Sequence, residues 1–154
     1  MTRTQIFLRY ILPVLLWGLL ITGLSSQHFG ASFTYRILSA VARFVYPDVS
    51  VATLEWLHFA LRKTAHVTEY SIFALLLWRA LRREAAECWR ASWAAATLSV
   101  GVGLAVLDEL HQSYTRGRTG SPVDVGWDAL GLALALVWLY GRQRRAARAG
   151  NCGA

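Results

Sequence analysis

The chain has 154 residues, 55% of them hydrophobic and only 16% charged, with a mean hydropathy of +0.36. Soluble domains carry about 25% charged residues, so this composition speaks against disorder, a collagen-like repeat or a disulfide framework. The length allows one domain, or a bundle of about four to five membrane spans. A net charge of +7 suits either nucleic acid or a membrane protein with basic loops on one face. Two unpatterned cysteines, Cys88 and Cys152, define neither a zinc site nor a secreted scaffold.

Residues 10–35 contain no Asp, Glu, Lys or Arg, and predict a first span over about residues 7–26. Arg3 and Arg9 before an apolar run would also begin a signal peptide. The run is long for that, and no small-x-small cleavage site follows it, so the reading is a retained span. Next, Phe33, Ile37, Val41 and Phe44 fall on one helical face with Arg36, Ser39 and Arg43 opposite. This pattern predicts an amphipathic helix over about 33–46, lying in the interface or packed on the bundle and stopped by Pro47. A second span, about 60–82, has an apolar stretch only over residues 70–78 and must extend back through Glu69, His66, Lys63 and Arg62. The third, about 91–112, is rich in Ala, Gly and Val, and Gly101 and Gly103 allow close helix approach. The fourth, about 122–141, reaches spanning length only by carrying Asp124 and Asp128 inside the helix. The arginine-rich tail over 142–148 reads as a solvated end.

The expected fold is therefore an all-α membrane protein, one domain over residues 1–154, with four transmembrane helices plus an amphipathic interfacial helix. Orientation follows from the basic residues. Four spans place Arg3, Arg9, Arg79, Arg82, Arg83, Arg90, Arg142, Arg144, Arg145 and Arg148 on one side. The other side holds Arg36, Arg43, Arg62, Lys63, Arg116 and Arg118, and four of these belong to the polar helix ends. Counting loops alone, the contrast is ten against two. The expectation is an integral inner (cytoplasmic) membrane protein with both termini cytoplasmic.

With that orientation, the polar end of three helices is the same, outer end. In Arg62-Lys63-x-x-His66-x-x-Glu69-Tyr70 all five residues lie within an arc of about 120° at 100° per residue. Asp108-Glu109-x-His111-Gln112 closes the third span, with Asp108, His111 and Gln112 on one face. Asp124 and Asp128 stand one turn apart at the start of the fourth, in line with Gly131. The turn from Thr115 to Gly120 lies between.

These pieces, with Ser25-Ser26-Gln27 after the first span and Arg116-Gly117-Arg118 in the turn, cover residues 25–131 in order. Their arrangement resembles the VanZ-like family, membrane proteins named for a member linked to low-level teicoplanin resistance. A Pro often precedes the Gly-Arg pair in that family; here the position is Arg116. The resemblance implies a cell-envelope membrane protein connected with glycopeptide (teicoplanin-type) antibiotic susceptibility. It does not supply a reaction.

Each residue also has a plainer role open to it. Charges at the centre of a span cost roughly 2.5–3.5 kcal/mol and tend to be paired or functional. Ser121, Pro122 and Asp124 fit a helix start as N-cap, N1 and N3; Asp128, a turn deeper, has no capping role. Arg62 and Lys63 could snorkel to headgroups, whereas His66 and Glu69 look like a network. His28 and His58 read as interfacial. Four cations, Arg62, Lys63, Arg116 and Arg118, face five carboxylates, Glu69, Asp108, Glu109, Asp124 and Asp128. Near balance suits a pocket for a zwitterionic or phosphate-bearing ligand, and equally a closed structural clamp.

Two function classes stay open. An enzyme acting on a lipid-linked phosphate would draw its catalytic groups from His66, Glu69, Asp108, Glu109 and His111. A binder or transport accessory would use Arg62, Lys63, Tyr70, Gln112, Arg116, Arg118, Asp124 and Asp128 to recognise an anionic membrane lipid or envelope ligand. No cofactor is expected, and the His and carboxylate spacings match no common metal site. No Gly-x-Ser-x-Gly elbow is present, and nucleic acid is disfavoured because orientation already explains the basic residues.

Overall fold

The computed structural model describes residues 1–24, 31–83, 85, 89–114 and 121–150. The described residues are 89% helical and contain no strand. Five helices follow in order: α1 Arg3–Leu24, α2 Ala31–Val45, α3 Val51–Arg82, α4 Ala91–Ser113 and α5 Pro122–Arg148.

Local chemistry accounts for the helix ends. Thr2 and Gln5 form a reciprocal capping box at the start of α1. One π turn, Phe7–Ile11, follows, with Leu12 N–H reaching back to Phe7 O. Pro13 explains it: the ring removes a backbone donor and crowds the carbonyl one turn back, so the ladder widens just before it. The hydroxyl of Ser50 accepts from Thr53 N–H at 3.1 Å to open α3. Proline stands at the first turn of α5, where its missing N–H costs nothing.

Three helices, α1, α4 and α5, are long and apolar enough to cross a membrane. The chain is thus a helical membrane protein. The second predicted span lies inside α3, which at 32 residues is the longest helix. It carries Glu55, Arg62, Lys63, Glu69, Arg79 and Arg82, too much charge to stand with the other three.

Cross-helix contacts fix the directions. Trp17 Nε1–H donates to Glu69 O at 2.9 Å, and Arg79 lies over the Tyr10 ring, so α1 and α3 are antiparallel. Ser71 Oγ–H donates to Gly131 O at 2.9 Å. Together with the Lys63–Asp124 and His66–Asp128 pairs, this sets α3 parallel to α5. Gly101 packs on Leu132 and Glu109 meets Ser121, so α4 runs opposite to α5. The core between them is Ile21, Tyr70, Phe73, Ala74, Ala105, Leu132 and Ala135. Large apolar side chains such as Leu16, Leu19, Leu107 and Val137 point outward, the reverse of a water-soluble surface and the expected one in lipid.

The amphipathic helix is present as α2. Phe33, Ile37, Val41 and Phe44 are all exposed on its apolar side. His58 is not solitary: its Nε2 lies 3.2 Å from Thr34 Oγ1, and its ring meets Tyr35 edge-on at 5.5 Å. These contacts tie α2 to the first turns of α3.

Candidate functional site: a polar cluster at one end of the bundle

The helix directions put four element ends together: the C-terminal end of α1, the first half of α3, the last turns of α4 and the first turns of α5. The sequence concentrates its polar residues on these segments. Asp108, Glu109, Gln112, Asp124 and Asp128 are all buried, each 6% exposed or less. Groups of this kind are tolerated in an apolar bundle only with partners, and most of their partners are visible.

Along the α3–α5 seam, Lys63 Nζ pairs with Asp124 Oδ1. Arg62 approaches the other oxygen of Asp124 at 3.9 Å. One turn further in, His66 Nδ1 meets Asp128 Oδ1 at 2.9 Å. Parallel helices with partners one turn apart on each, i, i+3 on α3 and i, i+4 on α5, produce this ladder, since a turn on one advances as far as a turn on the other. Asp124 therefore spends its carboxylate across the seam. The Ser121 side chain makes no capping hydrogen bond; its backbone N–H instead donates to Glu109 Oε2 at 2.7 Å, stapling the start of α5 to α4. Within α4, Gln112 Nε2–H donates to Asp108 Oδ2 at 2.8 Å.

Tyr70 is 1% exposed and packs beside Phe73. Its hydroxyl and Glu109 Oε1 are buried with no hydrogen-bond partner among the described residues. Glu69 is half-buried, and its backbone carbonyl serves Trp17. His111 differs from its neighbours: it is exposed while Asp108, Glu109 and Gln112 turn inward. Arg116 and Arg118, like Ser25, Ser26, Gln27 and His28, lie outside the described residues.

Two clefts flank the cluster. Lys63 borders one of about 340 Å³ with Trp56, Phe59 and Trp127. Glu109 borders the other, about 410 Å³, with Val106, Leu110, Ser113, Ser121 and Val125. Among the described residues, no group of three His, Cys, Asp or Glu side chains is arranged to hold a metal ion. Two features were missed by reading the sequence: the Trp17 link to α3, and the buried Thr97 on α4. A tryptophan in an apolar run gives no sign of where its N–H will find a partner.

The fold and the cluster together define a helical membrane protein that gathers its buried carboxylates at one end of the bundle. Residues 10–142 match the VanZ/LLP1 family, and the chain belongs to it. No curated protein and no solved structure matches the chain.

Proposed function

We propose that this VanZ/LLP1 protein is a four-span inner-membrane protein whose polar end opens outward and holds an anionic lipid or other envelope ligand. On this reading, binding there underlies a link to glycopeptide (teicoplanin-type) susceptibility. The fourth crossing is α3. It follows α5 in parallel from Lys63 onward, and residues 63–82 measure about 30 Å as a helix, the thickness of the hydrocarbon core. Both termini then lie in the cytoplasm with the ten basic residues.

One observation carries the ligand reading. Tyr70 Oη and Glu109 Oε1 are buried beside an ion-pair ladder without partners among the described residues, and each such group costs about 1–3 kcal/mol. A headgroup that brings hydroxyl or ammonium donors along with its phosphate would satisfy them. Ser121, whose backbone N–H is bonded to Glu109, follows Arg116 and Arg118 by only a few residues in the sequence.

A second reading, an enzyme acting on a lipid-linked phosphate, draws on His66. A carboxylate on Nδ1 fixes the imidazole and leaves Nε2 for proton transfer. Release of phosphate from a lipid-linked diphosphate by the purified protein would favour this reading; binding without turnover would favour recognition alone.

Arg118→Ala tests the proposal. The sequence places Arg118 between two apolar spans rather than within one, so the variant should insert and melt as the parent does. In a host that shows a teicoplanin effect, it should abolish the change in inhibitory concentration. An intact phenotype at normal stability would remove Arg118 from the function.

A further inference from the structure

The opposite end of the bundle carries a basic cleft. Arg79, Arg82 and Arg83 at the end of α3 and Arg142 on α5 line one cleft of about 450 Å³, flanked by Trp78 and Trp138. Leu75 and Leu139, deeper along the same helices, give it an apolar floor. Among the described residues its lining includes no carboxylate, and Arg79, Arg83 and Arg142 make no ion pair. Two of the guanidinium groups lie over aromatic rings, Arg79 over Tyr10 and Arg142 over Trp138, each 5.4 Å from the ring centroid. A guanidinium held against a ring loses less freedom when it takes up a partner.

We propose that this cleft binds the phosphate headgroup of an anionic phospholipid in the leaflet at the basic end. Guanidinium forks match phosphate oxygens two at a time. Trp138 is exposed, and an amphipathic ring there suits the headgroup level. Leu75 and Leu139 give the glycerol and upper acyl carbons an apolar wall, which a free phosphate would leave unused. Orientation alone calls for basic residues near the surface; it does not call for four of them around one apolar-floored cleft. Basic pockets between helices on the cytoplasmic side are a recurrent setting for anionic headgroups.

The test is a melting titration of the full chain in detergent with phosphatidylglycerol, phosphatidylcholine or soluble glycerol phosphate. Phosphatidylglycerol should raise the melting temperature, and the other two should leave it unchanged. Arg83→Gln with Arg142→Gln should weaken the phosphatidylglycerol response by about tenfold or more. The charge-matched control, Arg3→Gln with Arg148→Gln, removes two basic residues outside the cleft and should preserve it. Equal response to both lipids, or an equal loss in the control, would overturn the proposal. A response to glycerol phosphate equal to that for the lipid would do the same, by making the site one for free phosphate. If the double variant fails to insert, Arg142→Lys replaces it, keeping charge while losing the fork. A weakened response then supports the site, and an unchanged one rejects it.

Discussion

Asp128 is 1% exposed, and its carboxylate meets His66 Nδ1 across the α3–α5 seam. Removing one partner of a buried pair leaves the other uncompensated, typically at a cost of about 3–5 kcal/mol, whereas replacing both with apolar groups is often neutral. His66→Ala should therefore lower the melting temperature markedly, and His66→Leu with Asp128→Leu should restore most of the loss. A single variant as stable as the parent would show that water reaches Asp128. Substitution at His66 is thus a poor way to isolate function, and Arg118 is the better probe. Sequence reading singled out Asp128 because helix chemistry offers no use for a carboxylate one turn past the cap, and the structure pairs it with His66. Asp124 stayed open between cap and pair, since both roles need the same residue at the same position. Only the register with Lys63 decides it. His111 was drawn into the cluster by i, i+3 spacing from Asp108, but a face is wider than a contact, and His111 lies at its exposed edge.

The helices pack through small residues, and the two glycines at their seams differ in what faces them. A Cβ at Gly131 would lie 2.4 Å from Val67 O, a backbone atom that cannot move without separating α3 from α5. A Cβ at Gly101 would meet Leu132 side-chain carbons at 2.5 and 2.7 Å, which can rotate aside. Gly131→Ala should consequently disrupt folding or cost about 1–3 kcal/mol or more, while Gly101→Ala should cost less. Melting temperatures of the two variants in detergent check this, and equal values would contradict the close approach at Gly131. The all-helical character of the described residues was legible because charge-free runs, the α2 amphipathic face and the Pro47 stop are local signals. Sequence periodicity placed Gly131 in line with the two aspartates but gave no partner, since the depth of contact depends on another helix. The extension of α3 back to Val51 was also hidden, because residues 51–61 lack the apolar run that marked the spans. Their contacts with α2 through His58 keep them helical.

At the scale of the molecule, the two ends of the bundle differ in kind. One end collects the ion-pair ladder and the buried carboxamide and carboxyl groups. The other collects arginines and aromatic rings: Trp78 stacks on Trp89 at 4.6 Å, Trp93 meets Trp78 edge-on, and Tyr140 meets Trp89. Arg9, Arg79, Arg90, Arg142 and Arg144 all lie over aromatic rings there. This division was readable in the sequence once the spans were placed, since each crossing alternates the side of the next loop. The pairing inside each end was not, because partners such as Lys63 and Asp124 stand 61 residues apart. Which end faces outward decides whether the polar cluster can meet an envelope ligand. Cysteine labelling in intact cells tests it most directly, with Cys88 and Cys152 replaced by Ser and single cysteines introduced at Arg118, Ala86 and Ala149. A membrane-impermeant maleimide should label position 118 in intact cells, and positions 86 and 149 only after the membrane is opened. Labelling of 86 or 149 from outside, with 118 protected until lysis, would invert the bundle and remove the outward-facing site.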